Sequence, residues 1–171
     1  MDLKQALLQE HSKSQILHIV EYIGHDNTRF AELMKVFFAG EYRATQRAAW
    51  AMSSVIQRHP ALFEEYTEKA VAYLQHPTLH NAVARNVLRI LPLVFLPEHI
   101  RGNLVDICLN KVQDPKQPGA IKAFSITVLK KLCHLHPELA PEITFLLKER
   151  LPYEAPAFKV RAKDFLKDFP S

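Results

Sequence analysis

Only four glycines are spread over the 171 residues, and that scarcity excludes much at once. Strand-rich folds turn tightly and often, and glycine supplies the positive φ such turns need, so a chain this poor in it leans to helices. The same shortage leaves no glycine loop able to cradle a phosphate. Cysteine is thin as well. Cys108 and Cys133 both fall inside apolar helical patterns and share no CxxC spacing, so they read as small core residues of a reduced compartment, not as a disulfide. No run approaches eighteen apolar residues, and the longest, around Ile90 to Leu96, is broken by Pro92. No membrane-spanning helix is therefore expected. The opening MDLKQALLQEHSKSQ lacks the basic-then-apolar layout of a leader peptide. A cytoplasmic location is the resulting expectation.

What is present is ordinary for a globular chain: 48% apolar and 23% charged residues, far from a disordered composition. By length it is one domain, able to bury roughly 70% of the surface of its unfolded form. The net charge of +4 is unevenly placed. Residues 1–115 hold 12 Lys and Arg against 12 Asp and Glu, and residues 116–171 hold 10 against 6. A basic last third suits an acidic partner or nucleic acid, and equally suits the solvated faces of two helices.

A basic residue returns at the same point of an apolar pattern. Arg47 (TQRAAWAM), Arg85 (AVARNVL), Lys122 (GAIKAFSITVL) and Arg161 (FKVRAKDFL) are spaced 38, 37 and 39 residues apart. Periods of this size mark stacked repeats, because each unit is too small to bury its apolar face alone. Helix signals divide the chain accordingly. Asp2 can cap a helix over 3–10, and Ser12 with Gln15 has capping-box spacing for a second, ended at Gly24. Asn27 or Thr28 is the expected cap of a third, stopped at Gly40. Paired helices then follow at about 44–58 and 61–75, 79–92 and 97–113, and 119–135 and 138–150, with Pro60, Pro77, Pro97, Pro115, Pro137 and Pro152 as breaks. A last helix spans about 156–168. Apolar residues recur at three and four positions throughout, and no six-residue window alternates as a strand would.

The layout resembles the HEAT-like repeats, helical hairpins of about 30 to 45 residues per unit. Asp114-Pro115 followed by Ile121-Lys122-Ala123 is the nearest match to the Asp-Pro, short loop, Val-Arg pattern of its small bacterial form. Val160-Arg161-Ala162 and Gln46-Arg47-Ala48-Ala49 match the second half, whereas His76-Pro77 and Ala155-Pro156 stand where Asp-Pro should recur. The resemblance implies an all-α chain: a right-handed α-α superhelix, or solenoid, of about four hairpins plus a C-terminal helix. Residues 1–171 then form one repeat domain, with a divergent unit at 1–42, repeats at 43–77, 78–118 and 119–156, and a capping helix at 157–171. It also implies that Arg47, Arg85, Asp114, Lys122 and Arg161 are rungs of a structural ladder between repeats.

No catalytic or metal constellation stands out in the sequence. His134 and His136 are two apart, on different helix faces, and Pro77 separates His76 from His80, so neither pair builds a metal site. His59, His76, His134 and His136 lie near helix ends and suit the C-terminal dipole. Ser53, Ser54, Ser125, Cys108 and Cys133 sit in no nucleophile elbow. Glu64, Glu65 and Glu68 read as solubilising charge. The expectation is a protein that is not an enzyme, holds no metal or cofactor, and binds a protein or peptide.

In solenoids of the resembled kind the second helix of each hairpin lines the concave side. Tyr66, Lys69, Tyr73, Arg101 and Lys148 on those helices are therefore the candidate partner-binding residues. Phe145 is a further aromatic there. The alternative is a DNA-binding protein related to the alkylpurine DNA glycosylases, which are also built from HEAT-like repeats. Against it, the second helices are slightly acidic, and the basic residues concentrate on the first helices. A monomer is expected, with Phe158, Val160, Phe165, Leu166 and Phe169 capping the stack and Lys159, Lys163 and Lys167 facing water. A dimer through that helix is the other arrangement.

Overall fold

A computed structural model describes all residues, 1–171, as ten α-helices with no strand. No helix is long and apolar enough to cross a membrane. The chain gathers into two compact units, Met1–Phe95 and Leu96–Ser171.

In the first unit, α1 (Leu3–Gln9) begins where Asp2 Oδ1 accepts from Gln5 N–H at 3.0 Å. α2 (Lys13–Ile23) begins at Ser12, whose Oγ accepts from Gln15 N–H at 3.1 Å. The second half of the expected capping box is different. Gln15 Nε2 donates to Ala6 O at 2.8 Å and so ties α2 to α1 instead of returning to its own cap. α3 (Asn27–Phe38) is capped by Asp26, which accepts from Arg29 N–H at 3.0 Å. The expected caps Asn27 and Thr28 are already helical, because Asp26 can satisfy the N3 donor from one residue earlier. Gly24 (φ 52°) and Gly40 (φ 76°) end α2 and α3.

α4 (Tyr42–Ile56) is the centre of this unit and packs against α1, α2, α3 and α6 (Asn81–Ile90). Its sequence suits that position. Ala44, Ala48, Ala49 and Ala51 are buried with Met52, Val55 and Ile56, and small side chains let several helices approach one axis. The expected single helix over 61–75 is divided into a 3-10 turn, Pro60–Tyr66, and α5 (Thr67–Tyr73). The change falls at Thr67, whose hydroxyl donates back to Phe63 O at 3.0 Å.

In the second unit, α8 (Gly119–Leu135) packs against α7 (Glu98–Gln113) on one side and α10 (Pro156–Asp168) on another. α9 (Ala140–Arg150) follows the 3-10 turn Pro137–Leu139. Phe158, Ala162 and Phe165, at i, i+4 and i+7, form the buried seam of α10. Val160 does not join the expected apolar set: two positions off the seam, it is 64% exposed. Leu166 and Phe169 are half-buried, and so is Lys159, while Lys163 and Lys167 face water. Cys108 and Cys133 are free and buried. Burial pushes their thiols up to about 12 and about 11 respectively, so neither is a nucleophile at neutral pH.

Candidate partner-binding surfaces

The candidate contact residues on α5 and its preceding turn come together around α3. Tyr66 stacks edge-on against Phe30 with centroids 5.6 Å apart, and Tyr73 does the same against Phe37 at 5.5 Å. The exposed Lys69 ammonium lies 4.2 Å from the Phe38 ring centre. Both tyrosines are half-buried, so they serve the core and the surface together. Burial and the neighbouring Glu65 raise the Tyr66 phenol above its ordinary value. The remaining two candidates lie in the other unit and are engaged internally. Arg101 Nε donates to Leu96 O at 2.9 Å, with Nη1 3.4 Å from His136 Nε2. Lys148 Nζ donates to Pro170 O at 2.7 Å. Phe145, by contrast, is 65% exposed on α9.

A second surface follows a part-exposed stripe of α4. Tyr42, Gln46, Trp50 and Ser54 recur every four residues on α4, with Arg58 just past its end, so they form one ridge on the helix surface. Three depressions of about 360, 550 and 430 Å³ lie along it, each of a size that takes a small ligand or a side chain. The first and second share Gln46, and the second and third share Trp50 and Arg89. Together they make one trench. Its first end is neutral and aromatic, walled by Phe38, Tyr42, Tyr73, His76 and His80. Its far end is cationic, with Arg85 and Arg89 from α6, Lys13 from α2, and Arg58. No aspartate or glutamate lines any part of it. His11 stands edge-on to Trp50, ring centres 5.4 Å apart.

Local bonds fix the trench walls. His80 Nδ1 accepts from Ala82 N–H at 3.0 Å, an imidazole acting as N-cap of α6. His76 Nδ1 accepts from Thr78 N–H at 3.3 Å. His80 thus binds a backbone donor at the start of α6, whereas His76 lies just past the end of α5, near the helix end where the sequence placed it, and closes the loop that follows. Asn86 Nδ2 donates to Ala82 O at 2.8 Å, and Arg89 Nη2 lies 3.5 Å from Gln57 Oε1. No group of three or more His, Cys, Asp or Glu side chains gathers as metal ligands.

Contacts between segments 32 to 40 residues apart carry a further pattern. Lys122, only 4% exposed, donates from Nζ to both carboxylate oxygens of Glu154 at 3.1 and 3.0 Å. Arg150 holds the same carboxylate through Nε and Nη2 at 2.9 and 2.6 Å. One face further along α8, Lys130 pairs with Asp164 at 2.9 Å and Asp168 at 3.2 Å, and His134 reaches Asp168 at 2.8 Å. In the first unit Arg47 Nη1 donates to Leu7 O at 2.8 Å and Leu8 O at 3.0 Å.

A model of the HEAT repeat domain matches residues 3–169. The chain belongs to the HEAT repeat family. Neither a curated protein nor a solved structure matches it significantly. Within this HEAT repeat chain the five candidate rungs behave differently. Lys122 makes a buried ion pair with Glu154 inside its own repeat, and Arg47 bonds carbonyls at a helix end. Arg85 and Arg161 are exposed and form no ion pair. Asp114 is no acidic counterpart to any of them: its oxygens accept from Lys116 N–H at 2.9 Å and Gln117 Nε2 at 3.4 Å, closing its own loop. Sequence reasoning missed the acids that do pair, Glu154, Asp164 and Asp168. It also missed Trp50, whose signal was its place in the four-residue stripe of α4.

Proposed function

We propose that this HEAT repeat protein is a non-catalytic scaffold that binds a protein or peptide partner, acting in the cytoplasm as a monomer. HEAT repeats generally mediate protein interactions, and the reading rests on one observation: a trench along α4 that no carboxylate lines, placed beside aromatic side chains that water reaches. A right-handed superhelix of about four hairpins closed by α10 belongs to the same proposal. The experiment is photo-crosslinking in native cells from a reactive residue placed at Tyr42, with a second at Lys69. A discrete protein adduct at either site is the expected result. The absence of a protein adduct from both positions overturns the proposal.

Duplex binding of the glycosylase-related kind has one observation in its favour, the four cations at one end of the trench. A gel shift at low salt tests it, since phosphate contacts weaken steeply as salt rises.

A further inference from the structure

We infer that the trench along α4 takes an extended acidic peptide segment, with its acidic side chains at the Arg85–Arg89 end and backbone carbonyls at the Thr45–Gln46 end. This deepens the scaffold proposal and rests on it. From Tyr42 to Ser54 the stripe climbs twelve residues of α4, roughly 18 Å at the helical rise, and Arg58 extends it past the helix end. An extended strand covers the helical part in roughly six residues and reaches Arg58 in roughly seven.

The charge pattern selects the ligand. Lys13, Arg58, Arg85 and Arg89 crowd one half of the trench, and no acid stands among them. Arg85 makes no internal ion pair, so its charge is available to a partner. The other half carries no cation at all. A nucleic-acid strand brings a phosphate at every step, and half of those phosphates would meet no positive charge. A peptide has no such regularity: it can place acids at one end and none at the other.

The neutral half offers hydrogen bonds that the protein leaves open. Thr45 Oγ1 and Gln46 Nε2 are buried without a partner, and both residues wall the trench. Buried polar atoms without partners are rare in folded proteins because each forfeits its bonds to water. The His76 and His80 rings accept through Nδ1, which leaves Nε2 carrying its proton as a donor. The wall is thus rich in N–H and O–H groups, the complement of peptide carbonyls. His11 and Trp50 mark the crossing between the two halves.

Trp50 is the only tryptophan, so its emission reports occupancy directly. The full chain is titrated with an acetylated, amidated heptapeptide of four glutamates followed by three alanines. The same peptide with lysines in place of glutamates, and an oligothymidylate, are titrated in parallel. The expected result is a saturable change with the acidic peptide alone, weakening as salt rises. Arg85→Glu combined with Arg89→Glu lowers the affinity about ten-fold or more. Gln46→Leu lowers it several-fold, and Arg161→Glu, in the other unit, leaves it unchanged. A silent acidic peptide, an equal response to the lysine peptide, or tighter binding of the oligothymidylate overturns the inference. A silent trench with a partner protein crosslinked at Lys69 overturns the inference alone and leaves the scaffold reading standing. Absence of adducts at both Tyr42 and Lys69 removes that reading as well.

Discussion

Lys122 and Glu154 are joined across thirty-two residues by two hydrogen bonds of 3.1 and 3.0 Å, in a site that water hardly reaches. The arrangement is asymmetric, because Glu154 has a second partner in Arg150 whereas Lys122 has only Glu154. Removing one member of a buried pair costs about 3–5 kcal/mol when the survivor is left uncompensated. Glu154→Ala strands the Lys122 ammonium and should cost in that range. Lys122→Met leaves Glu154 with Arg150 and should cost less, about 1–3 kcal/mol. The double variant Lys122→Met with Glu154→Leu should recover some of the loss. Urea unfolding of the three variants checks the order.

Acid should weaken the second unit first. Burial alone would push the Glu154 carboxyl up, but the bonds from Lys122 and Arg150 outweigh it and hold the group below its ordinary value of 4.5. The bond from His134, with that from Lys130, holds Asp168 below its ordinary 3.8. A carboxyl depressed in the folded state stabilises it fully above the unfolded value, and that contribution disappears as pH falls through the folded value. Stability should therefore hold down to about pH 4.5 and decline below it. Hydrogen exchange followed along an acid series should show α8 and α10 losing protection before α4. Equal loss in both units contradicts the argument.

The two thiols should be inert while the chain is folded. With values of about 12 and about 11, Cys108 and Cys133 carry little thiolate at pH 8, and both are walled off from reagent. A disulfide-exchange reagent should label them at least about a hundred-fold more slowly in buffer than in denaturant. Rapid labelling of either in buffer would mean that the interface of α7 with α8 opens easily.

Gly40 isolates a backbone cost. Its φ of 76° lies in the left-handed region, and a Cβ built on it meets nothing within 4 Å. Gly40→Ala should thus destabilise through conformation alone, by about 1–2 kcal/mol. Thermal unfolding measures it, and an unchanged midpoint would show that the turn between α3 and α4 relaxes freely.

The helices were legible because their signals are local. Pro60, Pro137 and Pro156 open turns or helices where a missing N–H does no harm, and the three- and four-residue recurrence marked α8 and α10 to the residue. Asp26 was obscured by Asn27 and Thr28, two equally good capping types directly after it. The pairing acids were hidden for another reason. Asp164 and Asp168 meet Lys130 and His134 only because α10 lies along α8, and sequence spacing does not state which helices become neighbours. The trench was hidden likewise: Gln46 and Trp50 are visible on α4, but Arg85 and Arg89 join them only once α6 packs beside it.

Arg47 grips α1 by a single guanidinium nitrogen that serves two successive carbonyls, Leu7 O and Leu8 O. A seven-residue helix is too short to persist unaided, so α1 depends on that grip, on the Gln15 bond to Ala6 O, and on its packing against α2, α3 and α4. Both bonds depend on the placement of one side chain, so a displacement of Arg47 releases them together. Under tension at the amino end, α1 should come away as a single mechanical latch, giving one discrete step and no gradual unravelling.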